Sequence, residues 1–265
     1  VYSGEMRETK PRRRMNGRKL LRNASLALLL GGAAVGAVYA LQSNTFRVRQ
    51  VTISGASSQV LTAIGDLLVP GCNETGPGQF TCADDNLGPN EFTLSSREME
   101  QELLRLPRVK SASITPRLPG KLSVSVVERH PEAGWVIGPD VFRVADDGVV
   151  IDKGSPIGLK VVVGQVAGDA IKPGDQVSVD VIHGAEQLQT QLPGQFGIAA
   201  KRIQYSPADG LAVIGDGNLI AMFGQPTDLN LKMAELQRIL QLAQDKKSPL
   251  AFVDLRYKTP YFRAR

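Results

Sequence analysis

The chain has 265 residues, 42% of them hydrophobic, with 31 Lys/Arg against 26 Asp/Glu for a net charge of +5. That charge is concentrated: residues 1–23 hold eight Lys/Arg against Glu5 and Glu8, a net of +6, while the remainder stands at −1. The basic surplus therefore belongs to a short tail and argues against a nucleic-acid-binding face on the main body.

Directly after the tail, Ala24–Leu41 is an uncharged apolar run of 18 residues, the short end of the roughly 17–25 that cross a bilayer as a helix. Lipid cannot satisfy unpaired backbone groups, so a helix is the form expected of a single isolated apolar segment. Seven of the basic residues crowd the fifteen positions before it, and only Arg47 and Arg49 follow closely behind. The positive-inside bias then puts the tail in the cytoplasm and the large C-terminal part outside, with Ala24–Leu41 in contact with lipid. A second reading stays open, because Val38-Tyr39-Ala40 also has the small-x-small form that precedes a signal-peptidase cut. The chain opens on Val1 rather than methionine, which leaves the true start of the tail open as well. Inside the run, Gly32 and Gly36 form a GxxxG that lets two helices approach closely in lipid, although Gly and Ala are common in such spans without any pairing role.

The exported part begins with Arg47–Ser54, whose alternation reads as a half-buried strand before Gly55. Ser57 or Ser58 caps a helix with Val60, Leu61, Ile64, Leu67 and Leu68 on one face, stopped at Pro70-Gly71. Cys72 and Cys82, the only two cysteines, bracket a loop-like stretch, and outside the cytoplasm such a pair forms a disulfide. Two thiols without companion histidines make a poor metal site. Ser95 and Glu98 supply a capping box for a second helix through Met99, Leu103 and Leu106, ending at Pro107. Strands Val109–Thr115 and Leu122–Val127 then flank a turn at residues 116–120. Strand, helix, helix, strand, strand is a small α+β sandwich.

Leu106-Pro107-Arg108-Val109, Ala112, and Pro119-Gly-Lys-Leu122-Ser-Val124-Ser-Val126-Val-Glu128-Arg129-His-Pro131 together resemble the POTRA domain of the bacterial division proteins of the FtsQ/DivIB family. Val51-Thr-Ile53-Ser-Gly55 is similar to that domain's first strand, and the ordered set spans Phe46–Ala133 directly after one membrane segment. The resemblance implies a POTRA domain over 46–132, departing from the family pattern in a cysteine-bracketed insertion at 70–90 that is expected to cover or extend the helical face. Glu128 and Arg129 receive no chemical role.

From Ala133 the texture turns to short strands between Gly, Pro and Asp: Trp135–Ile137, Phe142–Val144, Val149–Ile151 and Val161–Val163, with Asp146-Asp147-Gly148 as a hairpin turn. Val177–Leu192 reads as a helix stopped by Pro193-Gly194. Strands Ile203–Tyr205, Leu211–Ile214 and Leu219–Phe223 follow, the last two joined by a tight hairpin at Gly215-Asp216-Gly217. A second helix covers Leu229–Gln244, and the chain closes with Ala251–Tyr257, a turn at Lys258-Thr-Pro260, and Tyr261–Arg265. Residues 133–265 are thus expected to form a larger mixed α/β domain of mainly antiparallel strands with two helices. Asp146-x-Gly148-Val149, Lys232-x-x-Glu235-Leu-x-x-Ile239-Leu and Val253-Asp-Leu-Arg-Tyr257 again resemble the FtsQ/DivIB family, so the likeness covers nearly the whole chain.

Little supports catalysis. His130 and His183 have no Cys or carboxylate at metal-ligand spacing, and no G-x-S-x-G, P-loop or dinucleotide glycine motif occurs. No enzyme activity, cofactor, metal or small-molecule substrate is expected. A final strand with nothing after it leaves an uncovered edge able to accept a strand from another protein, and Leu255, Arg256, Tyr257, Tyr261, Phe262 and Arg263 are the candidate contact residues. The opposing reading is that the arginines keep an exposed edge soluble. The family resemblance implies membrane partners of the FtsB/FtsL (DivIC/FtsL) type and a scaffold at the division septum of the cell membrane. The alternatives are a POTRA-bearing accessory of secretion or outer-membrane assembly, and an exported cell-wall enzyme.

Overall fold

The computed structural model describes residues 17–264, with the side chains of Asn23 and of residues 25–264. Most of the predicted basic tail (residues 1–16), the side chains of Arg18, Lys19 and Arg22, and Arg265 lie outside the described residues.

Helix α1 (Gly17–Gln42) contains the apolar run and begins seven residues ahead of it. Within it Ser25–Gln42 is long and apolar enough to cross a membrane, and none of that stretch is buried. Leu26, Leu28, Leu29, Leu30, Val35 and Val38 all stand exposed. A Cβ added at Gly32 or Gly36 would meet nothing within 4 Å. A helix apolar on every side with no protein over it is matched to lipid as its solvent.

The rest of the chain falls into two compact units. The first takes in the described residues up to Thr52 together with Gly65–Ser95 and Thr115–Ser123; the second takes in Ile53–Ile64, Ser96–Ile114 and everything from Val124 on. The elements from Gln50 to Glu128 are β1 (Gln50–Ser54), α2 (Ser58–Leu68), β2 (Asn73–Gly76), β3 (Gln79–Thr81), α3 (Ser96–Leu104), β4 (Val109–Arg117) and β5 (Lys121–Glu128). Their strands make a five-stranded sheet in the order β2-β3-β1-β5-β4. The alternation read from Val51 and Ile53, and from Leu122, Val124 and Val126, is the buried side of this sheet. On α2, Val60, Leu61, Ile64 and Leu68 are buried. Leu67, expected among them, sits in the last turn at the margin of the stripe and is exposed.

The stretch between the cysteines, loop-like in sequence, is a hairpin. Strand β3 pairs antiparallel with β2 and with β1, placing Phe80 opposite Val51. Phe80 explains why: it is the one large apolar side chain between the two cysteines, and it is buried against α2 at Gly65. A Cβ on Gly65 would stand 2.2 Å from the Phe80 ring, so only glycine leaves room. A disulfide between Cys72 and Cys82 closes the base of the hairpin.

The second unit is dominated by a nine-stranded sheet built from β6 (Pro131–Ile137), β7 (Asp140–Ala145), β8 (Val150–Lys153), β9 (Val161–Gln165), β10 (Arg202–Ser206), β11 (Gly210–Ile214), β12 (Ile220–Gly224), β13 (Leu250–Asp254) and β14 (Tyr261–Ala264). The order is β14-β13-β12-β11-β10-β9-β6-β7-β8. Most neighbours are antiparallel; of the three parallel pairs, β9/β10 and β12/β13 are joined through α4 (Val179–Phe196) and α5 (Leu229–Asp245), as crossover connections require, while β6 reaches its parallel neighbour β9 by way of β7 and β8. Val163, Ile203, Val213, Ala221 and Val253 lie in one row across adjacent strands. They join Leu188 and Leu192 of α4 and Met233, Leu236 and Ile239 of α5 in a single core cluster.

Two expected boundaries move. Pro193 does not stop α4, which runs on to Phe196 and ends at Gly197 in the left-handed conformation (φ 64°). Proline removes one backbone donor, here in the last turn, while Phe196 packs onto the core and carries the turn onward. The β11–β12 connection is a 3-10 turn at Asp216–Asn218 rather than a tight hairpin.

Glu128 and Arg129, unassigned from sequence, tie the second unit together. Arg129 donates to the Asp147 carboxylate at 2.8 Å and to the carbonyl oxygens of Pro107 and Val109. Glu128 accepts from the Ser57 backbone N–H and hydroxyl and from Arg108. Arg108 and Arg143 both donate to Asp152. Burial pushes the Asp152 carboxyl up, but the Arg143 hydrogen bonds and the two positive charges hold it below the usual carboxylate range.

If Phe80 belongs to the core in this way, Phe80→Ala costs about 3–4 kcal/mol of stability. Removing the bridge by Cys72→Ser with Cys82→Ser costs about 2.5–3 kcal/mol for a loop of this length. Denaturant unfolding of parent and variants reads both, and a Phe80→Ala loss under about 1 kcal/mol would place the hairpin outside the cooperative core.

Candidate functional site

A nine-stranded open sheet has two edges, and the two are treated differently. Beyond β8, the chain at residues 174–177 supplies partners: the Val150 N–H donates to the Asp175 carbonyl at 2.9 Å, and the Gly174 N–H donates to the Val150 carbonyl at 2.8 Å. Val149 forms an antiparallel bridge with Gln176 in the same stretch. At the other end, among the described residues, β14 pairs only with β13, in the register Asp254↔Tyr261, Val253↔Phe262 and Phe252↔Arg263. Every residue of β14 is exposed. An edge strand keeps half of its N–H and C=O groups pointing away from the sheet, where only water or another strand can meet them.

The register also sorts the side chains. Phe262 shares the helix-covered face with Val253, whereas Tyr261 and Arg263 share the opposite face with Asp254 and Phe252. The Tyr261 and Phe252 rings lie 6.3 Å apart, tilted by 53°. Tyr257, in the connection between β13 and β14, is 63% exposed, and Tyr261 is 60% exposed. A cleft of about 260 Å³ lies beside this connection, lined by Leu231, Lys232, Tyr257, Lys258 and Pro260 among others. Lys232 reaches over to donate to the Gln225 carbonyl, and partial burial lowers its ammonium below the ordinary lysine range.

Two of the candidate contact residues serve the fold. Leu255 is 4% exposed and belongs to the core cluster, and its N–H donates to the Met222 carbonyl. It offers no surface to a partner, because the chain turns inward just after β13. Arg256 lies at the rim, but its guanidinium donates to Asp254 at 2.9 and 2.7 Å and to Asp209 at 2.6 Å. It also stands over the Tyr257 ring at 5.5 Å. Asp254 is itself buried; the Arg256 hydrogen bonds hold its carboxyl below the usual range and raise the guanidinium further above its own. The Asp-x-Arg spacing is visible in the sequence, but Asp209, 47 residues away, is not a readable partner. Tyr257, Tyr261, Phe262 and Arg263 remain together at the accessible end of the sheet.

Elsewhere the site chemistry is sparse. Among the described residues no group of three or more His, Cys, Asp or Glu is placed to hold a metal ion. His130 and His183 are both exposed. A cleft of about 670 Å³ is lined by Phe196, Asp216, Leu219, Leu240 and Leu250 among others. Asp216 is already held by Lys201 and the Ala199 N–H, which keep its carboxyl low.

Residues 83–129 match the family described as POTRA domain, FtsQ-type. The cell division protein FtsQ of Chloroflexus aurantiacus is 24% identical over 229 residues, covering 86% of this chain and 77% of its own. FtsQ of Chloroflexus aggregans is 23% identical over the same shares. FtsQ of Neisseria meningitidis serogroup B is 22% identical over 238 residues, 88% of this chain and 87% of the relative.

Arg256→Ala strands the buried Asp254 carboxylate and costs about 3 kcal/mol near neutral pH. Because the folded carboxyl is held low, its contribution is full above the unfolded value and is lost as pH falls through the lower folded value. The variant therefore loses less stability than the parent between about pH 7 and pH 3, which paired denaturation curves at the two pH values would measure. Equal acid losses in the two proteins would remove Asp254 from the account.

Proposed function

Starting from a chain that carries an FtsQ-type POTRA domain and is a relative of FtsQ cell-division proteins over most of its length, we propose that it is a non-catalytic, single-pass membrane scaffold of the division machinery. The tail lies in the cytoplasm and the two folded units outside, at the septum. The POTRA domain, residues 46–132, takes upstream or membrane-proximal partners. Residues 133–265 receive a coiled-coil partner complex of the FtsB/FtsL (DivIC/FtsL) type by strand addition at β14.

The observation that supports this reading best is the unequal treatment of the two sheet edges. Among the described residues, β8 is capped by residues 174–177 while β14 meets no strand beyond β13, an arrangement that suits an edge used for pairing. Backbone bonds to an added strand supply part of the affinity, and Tyr257, Tyr261 and Phe262 supply aromatic contacts of the kind that anchor interfaces. Arg263 blunts indiscriminate pairing, as a charged residue on an edge does.

Tyr261→Ala removes an exposed aromatic contact from β14, and Phe262→Asp puts a charge into the apolar contact. Each should weaken capture of the partner complex about tenfold or more, equivalent to about 1.4 kcal/mol, in a pull-down from dividing cells, with the thermal melt close to the parent's. Undiminished capture by both variants would rule out β14 as the docking edge. A fluorescent fusion that spreads evenly over the envelope instead of gathering at midcell would favour the secretion or assembly reading.

A further inference from the structure

The end of α1 is fastened to the first folded unit by a residue far away in sequence. The Asn90 side-chain amide donates to the Ala40 and Leu41 carbonyls at 3.0 and 3.1 Å, capping two of the acceptors that a helix C-terminus leaves open. Its own oxygen accepts from the Phe92 N–H at 2.9 Å. The chain leaving α1 runs antiparallel to this segment: Arg47 bridges Asn90, and the Glu91 N–H donates to the Phe46 carbonyl at 2.8 Å. Phe46 and Phe92 thereby meet with ring centroids 5.1 Å apart, and Phe92 remains 52% exposed.

A third segment joins them. The buried Glu91 carboxylate accepts from the Gly120 and Lys121 N–H groups, and the Arg49 and Gln50 N–H groups donate to the Gly120 carbonyl. A Cβ on Gly120 would stand 3.3 Å from the Arg47 carbonyl and 3.7 Å from that of Thr45. The β4–β5 turn is therefore held beside the first residues after α1, with Leu118 exposed at its tip and Arg117 and Lys121 exposed on either side. Arg47 is exposed as well. Three segments separated by dozens of residues thus bring Phe46, Phe92 and Leu118 together with Arg47, Arg117 and Lys121, within a few residues of the end of α1. Glu91, the acid within this cluster, is turned inward onto backbone, and Asp84 is engaged by Arg49 at 2.9 Å.

We propose that this aromatic and basic ledge rests in the outer headgroup layer of the membrane that α1 crosses, with its cations against lipid phosphates. Aromatic rings favour the interface between hydrocarbon and water, and basic residues are attracted to an anionic surface. The Asn90 clamp leaves few free bonds between the last turn of α1 and the ledge, so the first unit sits at a set height on the bilayer instead of swinging on a linker. The inference rests on α1 spanning the membrane, and the experiment separates the two.

Full-length protein with Leu30→Trp, Phe92→Trp, Leu118→Trp or Ile157→Trp is placed in nanodiscs of phosphatidylcholine and phosphatidylglycerol, with or without brominated acyl chains. The native Trp135 is 2% exposed and supplies the background emission and a folding check. The added indole should be quenched deeply in the Leu30→Trp protein and at least twofold in the Phe92→Trp and Leu118→Trp proteins. The Ile157→Trp protein, altered at an 89% exposed site of the second unit, gives the reference level that the two ledge variants should exceed. Quenching in Leu30→Trp, with Phe92→Trp and Leu118→Trp no more affected than Ile157→Trp, overturns the ledge alone. An unquenched Leu30→Trp protein overturns the span and the ledge with it. Should Phe92→Trp disturb folding, Leu118→Trp at the exposed turn still decides. Reversing the charges at Arg47, Arg117 and Lys121 in the Leu118→Trp protein should reduce its quenching in the mixed nanodiscs and leave it unchanged in pure phosphatidylcholine. Insensitivity to that reversal in both would overturn the assignment of lipid phosphate.

Discussion

Both long helices of the second unit lie on the same face of the nine-stranded sheet, and most of its architecture follows from that one-sided burial. A strand covered on one face must alternate, because successive side chains point to opposite sides. Ile203, Val213, Ala221 and Val253 accordingly face the helices, while Gln204, Ile214, Ile220 and Phe252 look away. One covered face also leaves the sheet open at both ends, since no barrel closes it. What happens at each end is then decided locally. At β8 the backbone of residues 174–177 answers the free groups, and at β14 it is the shortness of a four-residue strand and its Arg263 that keep the edge from pairing at random.

The parts legible in the sequence are those where a local pattern and a long-range need coincide. The apolar run before Gln42, the alternation of Leu122, Val124 and Val126, and the stripe Val181, Ile182, Ala185, Leu188 and Leu192 all bury or expose what their spacing implies. The hairpin at Asn73–Thr81 is hidden because its strands are four and three residues long, too short for a period to show against Gly and Pro. Its placement depends on Phe80 finding Gly65, a fit between two positions that carry no signal separately. Pro193 misleads for the opposite reason: its local preference is strong, but Phe196 has a place in the core three residues later. Leu255 looks like the continuation of an exposed strand, yet the strand ends at Asp254 and the chain turns in.

The ionic contacts are the least legible. Arg129 with Asp147, Arg108 with Asp152 and Arg256 with Asp209 are each separated by 18 to 47 residues. Nothing in composition says which acid a given arginine will meet. The structural reason for using arginine is visible only in the fold. Its planar fork lets Arg129 serve one carboxylate and two carbonyls, and lets Arg256 grip Asp254 in two bonds while reaching Asp209. A lysine offers a point charge without that geometry. Of the three arginines, only Arg256 lies by the candidate edge, where it holds the start of the β13–β14 connection, and its value to a partner is indirect.

An edge of four residues is a small thing to bind by. An added strand gains about two to four backbone bonds along it, and at about 0.5–1.5 kcal/mol net for each the ladder alone reaches only a few kcal/mol. Loss of translational freedom on association consumes as much or more. In the proposed function, then, the backbone ladder sets direction and register, and the rest of the affinity has to come from elsewhere. Part comes from Tyr257, Tyr261 and Phe262, which stand exposed at that end. Another part comes from the membrane, because a partner anchored in the same bilayer meets the edge at a raised effective concentration. That gain falls as the tether lengthens and loosens, since the same edge then samples a larger volume. The Asn90 bonds to the last turn of α1 remove the freedom of the first link in the tether. In the proposed function a weak edge and a stiffened attachment thus serve the same end: an edge too feeble to capture strands in solution suffices where the bilayer supplies the concentration.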